Sequence, residues 1–204
     1  MNIIIMGPPG SGKGTQAKMV SEKYNISSIS SGEIFRHEMD KQTELGKKIQ
    51  NFMNSGQLVP DDITIEVVKK RLAEDDCKNG WILDGFPRTL PQAKALDKFA
   101  KINFVISLKV PDEVTVERIK SRAECVKCSA IFGLVKGLPQ KCAVCGGELR
   151  QRNADPEIIK KRLEWHHKQT EPIIEYYQPR NIVYEVDGNK PVDKVFNELQ
   201  KIVG

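Results

Sequence analysis

The stretch Gly7-Pro8-Pro9-Gly10-Ser11-Gly12-Lys13-Gly14-Thr15 nearly matches the phosphate-binding pattern G-x-x-x-x-G-K-[ST] and then breaks it. Its glycines let the backbone curl until successive N–H groups point at one anion, and a following helix would add its positive end. Lys13 would reach the outer phosphates. The break falls at Gly14, where a hydroxyl would ordinarily ligate magnesium; the hydroxyl comes one place late, at Thr15. The metal must then be held by Thr15, by the ligand's own phosphates, or by waters aimed from elsewhere. Asp84, at the end of an apolar run in "WILDGFPRT", is the carboxylate expected on the same sheet edge as Gly10 to Thr15. A merely flexible glycine turn is the competing reading. The apolar run before the loop, the lysine and the helical pattern after it are all in register against that.

Two further groups of residues carry chemistry. Arg36 and Arg88 flank a polar segment and could converge on one cleft, where planar guanidinium groups would bind a phosphate bidentately and offset charge as a phosphoryl group moves. Arg36 alone would pass for a surface arginine; Arg88, locked in "DGFPRT" after a buried run, would not. Cys125-x-x-Cys128 and Cys142-x-x-Cys145 have the spacing of two turns that place four thiolates tetrahedrally around zinc. All four positions would be filled by protein, so the metal would be structural, ordering a segment too small and glycine-rich for its own core. Paired disulfides and idle thiols are the alternatives. Cys77 stands apart as a packed or idle thiol.

The elements that must position these groups follow from pattern. Short Ile- and Val-rich runs at 2–6, 81–85, 104–110 and 181–186, with another strand near 27–30, read as buried strands. Helical patterns lie at 13–24, 61–75, 89–100, 112–122, 156–177 and 191–203, several opened by Asp, Thr or Pro. The alternation implies an α/β fold, a parallel sheet with helices on both faces and ligands beyond the carboxyl ends of the strands. Segments 31–60 and 123–153 fall outside the alternation and read as inserted flaps. A length of 204 residues, 39% hydrophobic, suits one core, and the net charge of +5 does not choose between small anions and nucleic acid. The chain has no run of 18 apolar residues, and Met1 leads straight into a strand-like run, so a cytoplasmic protein without signal peptide or membrane partner is expected.

With these residues in view, the sequence resembles the adenylate kinase family from end to end. "GPPGSGKGTQ", "SSGEIFR", "LVPDD", "LDGFPRTLPQA", "RIKSR", the cysteine pairs, "RLEWHHKQTEPIIEYY" and "DGNKPV" occur in the family's order, and its long-lid form with a metal-binding lid matches best. The resemblance implies a three-layer P-loop NTPase fold, with core 1–30, 61–122 and 154–204, an acceptor-binding insert at 31–60 and a lid at 123–153. It implies magnesium-dependent, reversible transfer from ATP to AMP giving two ADP. Gly10, Ser11, Gly12, Lys13, Gly14 and Thr15 would hold the donor phosphates, with Arg118 against the donor base, Arg122 on phosphate and the Lys190 backbone on the donor adenine. Arg36 and Arg88 would grip the acceptor phosphate, and Asp84 would orient magnesium-bound water. Gln92 would read the acceptor base, in a pocket lined by Ser31, Gln57, Leu58, Val59 and the turn Gly85-Phe86-Pro87. Arg152 and Arg162 would complete the positive ring. Arg118 and Arg122, four apart, are expected on one helix face. Gln92 also fits a capping box with Thr89.

The chain departs from the family in places. Only thirteen residues separate Cys128 from Cys142; Phe132-Gly133 stands where Tyr-His is common; the family's Thr-Gly-Asp is Ser31-Gly32-Glu33; and its paired aspartates after the lid leave only Asp155. Broad-specificity or pyrimidine nucleoside monophosphate kinases are therefore the alternative. A zinc-ribbon nucleic-acid-binding NTPase is more distant, because the lid lacks interleaved aromatic and basic residues. Ile131, Phe132, Leu134, Val135 and Leu138 make the lid tip apolar, which fits packing on the ribbon or a contact between subunits of an otherwise monomeric protein.

Overall fold

A computed structural model describes residues 1–128, 130–133, 141–151 and 155–204. The chain runs through β1 (Asn2–Met6), α1 (Lys13–Tyr24), β2 (Ser27–Ser30), α2 (Ser31–Asp40), α3 (Glu44–Ser55), α4 (Asp61–Leu72), β3 (Trp81–Asp84), α5 (Leu90–Leu96) and β4 (Phe104–Lys109). It continues through α6 (Asp112–Lys120), β5 (Arg122–Cys125), β6 (Ile131–Gly133), β7 (Leu149–Gln151), α7 (Pro156–Trp165), α8 (Glu171–Tyr177), β8 (Val183–Asp187) and α9 (Val192–Val203). Five strands form one parallel sheet in the order β2-β3-β1-β4-β8, and β6-β5-β7 form a small antiparallel sheet.

The Ile3-Ile4-Ile5 run explains why the sheet is covered on both sides. Side chains alternate along a strand. Ile4 therefore packs with Val68, Ala93, Leu96, Ile173 and Tyr177 of α4, α5 and α8, while Ile3 and Ile5 pack with Ala17, Val20, Val195 and Leu199 of α1 and α9. Burial of each such aliphatic side chain stabilises by about 1.5–3 kcal/mol, so β1 anchors both layers. The three-layer α/β expectation is met. None of the described helices is long and apolar enough to cross a membrane.

The 31–60 segment is two helices with their own apolar cluster of Phe35, Ile49 and Val59. Thr43 caps α3, its Oγ1 accepting from the Gly46 N–H at 3.0 Å. The helical expectations differ from the structure in two instructive places. The 156–177 helix is interrupted by a π-helical turn at His166–Thr170, where the Glu171 N–H reaches back to the His166 carbonyl. Pro172 has no N–H to offer the Lys168 carbonyl, and the ladder slips by a residue there. The 112–122 helix stops at Lys120: the Ser121 hydroxyl bonds to the Glu117 carbonyl at 2.9 Å, and the chain turns into β5. Arg118 and Arg122 are therefore not neighbours on one helix face, because Arg122 opens a strand that pairs on both sides.

Candidate active site

The register of the sheet builds the site. Ile5 of β1 pairs with Asp84 of β3, so the loop after β1 and the turn after β3 leave the sheet side by side. Gly10 and Gly12 both take positive φ, 87° and 92°. A Cβ at Gly10 would stand 2.9 Å from the Thr115 carbonyl, so only glycine lets the loop approach α6. Gly12 caps α1 without a side-chain acceptor, which leaves the first-turn amides of Lys13, Gly14 and Thr15 available to an anion. Lys13 Nζ donates to the Gly7 and Pro8 carbonyls, both at 2.8 Å. Burial lowers its pKa to about 8; Asp84 opposes that shift, and Arg88 and Arg122 add to it.

Across the cleft, the turn after β3 is organised around Gly85. Its carbonyl accepts from the Ser31 hydroxyl at 2.7 Å and from Arg88 Nε at 2.8 Å. Its φ is +77°, and a Cβ there would lie 2.7 Å from the Arg88 guanidinium. Gln92 is buried. Its Oε1 accepts from the Arg88 N–H at 2.7 Å and its Nε2 donates to Asp61 at 2.7 Å, while Thr89 Oγ1 accepts from the Gln92 N–H at 3.3 Å and donates to Asp61 at 2.9 Å. The capping role of Gln92 is realised, one residue displaced, because the amide reaches Arg88 rather than Thr89.

One cleft of about 990 Å³ gathers these groups, at the upper end of small-molecule sites. Its walls include Gly10 to Thr15, Ser31, Arg36, Gln57 to Val59, Asp84, Gly85, Pro87, Arg88 and Gln92, with Arg118, Arg122, Arg162 and Lys190. Phe86 instead sends its side chain into the core, packed with Met6, Ile29 and Leu83, and does not line the cleft as expected. Arg152 lies outside the described residues, as do Leu134, Val135 and Leu138. Arg118 donates to the Gly188 carbonyl at 2.9 Å, tying α6 to the loop after β8. Asp155, the retained aspartate, caps α7 by accepting from the Glu157 N–H at 2.8 Å.

The α2 helix and the small antiparallel sheet meet at the cleft wall. Arg36 of α2 faces Glu124 of β5 at 3.3 Å, and Asp40 of α2 accepts from Arg150 of β7 at 3.3 Å. The Ile131 side chain comes to 3.9 Å from where a Gly14 Cβ would be. Sequence reasoning missed Glu124, Asp61 and His166. Glu124 and His166 line the cleft wall or its floor; the acidic residue beside Cys125 and the doubled histidine were the only traces of them. Burial, reinforced by Lys13, His167, Lys109 and Arg88, lowers the His166 pKa to about 3. Burial also raises the Glu33 carboxyl, with Asp84 and Glu124 adding to the effect against Lys18 and Arg36.

The four cysteines of the lid converge, their sulfur atoms all within 4.8 Å of one another. Cys125 and Cys145 are 3.5 Å apart and Cys128 and Cys142 are 3.6 Å apart. Bonded sulfurs would be at about 2.05 Å, whereas tetrahedral ligands with Zn–S near 2.3 Å would be separated by about 3.8 Å. The thiols are free. The Cys128 and Val144 N–H groups point at the Cys125 and Cys142 sulfurs, as they would toward thiolates.

Comparison with known proteins agrees with this geometry. The sequence profile described as "Adenylate kinase" matches residues 5–182. Proteins named adenylate kinase from Clostridium tetani (47% identical, covering 100% of this chain and 99% of that one), Archaeoglobus fulgidus (48%, 100% and 98%) and Agathobacter rectalis (47%, 100% and 100%) align over the whole length. The match runs through the glycine loop after β1 and the arginine-bearing turn after β3, which leave adjacent strands, and the chain belongs to the adenylate kinase family of phosphotransferases.

Proposed function

We propose that the cleft transfers the terminal phosphoryl group of ATP to AMP, reversibly and with magnesium, giving two ADP. The donor phosphates lie on the amides from Gly10 to Thr15 with Lys13 on the transferring group. Arg122, Arg162 and Arg152 offset charge around it, while Arg118 and the Lys190 backbone border the donor adenine. Arg36 and Arg88 take the acceptor phosphate. Ser31, Gln92, the 57–59 backbone and the Gly85-Phe86-Pro87 turn border the acceptor base. Magnesium, when bound with ATP, screens the phosphate charge; Asp84 fits it through water, since its carboxylate stands beside the loop where Gly14 offers no ligand. No residue here needs to act as a general base, because phosphoryl transfer asks the protein for position and charge.

The observation that carries this reading is the adjacency of Asp84 and the turn bearing Arg88 to the Lys13 loop, fixed by strand pairing. Segments 31–60 and 123–153 act as flaps on one core, excluding water from the reactive phosphate. The sulfur separations support a structural zinc on Cys125, Cys128, Cys142 and Cys145. In this reading the chain's partners are nucleotides rather than nucleic acid or membrane, and the enzyme is cytoplasmic and monomeric unless the apolar lid tip joins subunits. Initial rates from MgATP to AMP, CMP, UMP and GMP, with a no-acceptor control, test it. Strong preference for AMP upholds the acceptor assignment, and comparable rates across the panel replace it with a broad-specificity kinase.

A further inference from the structure

Glu124 is out of place on charge grounds. It is a carboxylate, 2% exposed, in the wall of a cleft that gathers Lys13, Arg36, Arg88, Arg122 and Arg162. A buried carboxylate needs a compensating cation, and Arg36 Nε is 3.3 Å from its Oε1. The two residues belong to different flaps: Arg36 to α2, Glu124 to β5 at the root of the lid. Their pairing therefore requires the lid to lie against the acceptor insert, as the Asp40 and Arg150 contact requires too. Arg36 is also the guanidinium assigned above to the acceptor phosphate. A phosphate dianion arriving there meets a carboxylate already in the position of an anion, and the two like charges compete for one cation.

We propose that Glu124 is a positioning residue of the acceptor subsite, an internal anion that holds Arg36 while the acceptor phosphate is absent and yields it when the phosphate binds. This rests on the assignment of Arg36 to that phosphate. Binding of acceptor and the seating of β5 on α2 are then linked: each unit of affinity for the phosphate is reduced by the hold of Glu124 on the same guanidinium. The residue sets how tightly AMP binds without touching the donor.

The test is steady-state kinetics on the intact enzyme, with KM for AMP, KM for MgATP and kcat measured separately. Glu124→Gln keeps shape and removes charge; it is expected to lower KM for AMP roughly fivefold while KM for MgATP moves less than about twofold. Glu124→Asp retracts the carboxylate and is expected to move KM for AMP the same way by less, which keeps the question answerable if the amide variant does not fold. Arg36→Ala should raise KM for AMP, and adding Glu124→Gln to it should give no further gain. If both Glu124 variants leave KM for AMP unchanged or raise it while Arg36→Ala raises it, the role of Glu124 is overturned and the acceptor subsite stands. If Arg36→Ala has the wild-type KM for AMP, the acceptor assignment itself fails.

Discussion

The Asp84 carboxylate stands 3.4 Å from the point where a side chain on Gly14 would begin. The pairing of Ile5 with Asp84 puts the end of β3 directly against the loop that follows β1. This relationship accounts for the Lys-Gly-Thr order: the place after Lys13 is bordered by a fixed carboxylate, and the hydroxyl moves on to Thr15. Asp84→Asn should therefore keep the fold and lower kcat about 10- to 100-fold, the usual cost of losing an outer-sphere group, with a higher magnesium requirement. Wild-type kcat with an unchanged magnesium titration would remove Asp84 from the reaction.

Lys13 offers a proton signature. Burial holds its pKa near 8 in the free protein, and polyphosphate brought against Nζ favours the charged form. Binding of MgATP at pH 8 should then take up protons, and affinity should fall as pH rises above 8. Calorimetry in two buffers of different ionisation enthalpy measures this directly; equal apparent enthalpies would contradict it.

Arg88 separates catalysis from stability. Its side chain is exposed, and its Nε bond to the Gly85 carbonyl is replaceable by water. Arg88→Ala should lose about 10³-fold or more in transfer, as removal of a charge-offsetting arginine does, with an unfolding midpoint near wild type. Near-normal activity in this variant would dismantle the acceptor side of the site.

The four lid thiols predict a metal stoichiometry. Elemental analysis should find about one zinc per chain, and chelation or Cys142→Ser should loosen the lid, seen as faster proteolysis between β5 and β7, with the core sheet unaffected. A metal-free protein with an equally protected lid would refute the zinc site.

Much of this was readable in the sequence because the informative residues obey local rules. The Ile3-Ile4-Ile5 run declares a strand buried on both faces, the glycine loop declares an anion cradle, and the cysteine spacing declares a cluster. What was not readable depended on tertiary placement. Arg118 and Arg122 are four apart in sequence, yet one ends a helix and the other begins a strand, and only the packing of β5 between β6 and β7 decides that. Gln92 fitted a base reader and a capping residue alike, but nothing in the sequence joined its amide to Asp61, thirty-one residues away. Glu124 next to a cysteine gave no hint that its partner would be Arg36 on the other flap.

His166 and His167, adjacent in the π-helical turn, have pKa values shifted in opposite directions. His166 is buried and near Lys13 and Arg88, and its pKa is lowered to about 3. The unfolded chain takes up a proton near pH 6.5 that the folded chain refuses, so stability is full above 6.5 and falls with pH, by about 2 kcal/mol at pH 5. For His167 burial alone would lower the pKa, but Asp112 and Glu171, each accepting at 3.0 Å, outweigh it and raise the value. Its contribution is complete below 6.5 and is lost as pH rises through the folded value. His166→Asn should flatten the acid limb of the melting curve, making the fall in melting temperature from pH 8 to pH 5 smaller than in the wild type by about 4–8 °C. His167→Gln should cost most at pH 6 and least at pH 8. Parallel pH profiles for the two variants would show that the turn's histidines share one environment, contrary to the separation of a buried ring from one held by two carboxylates.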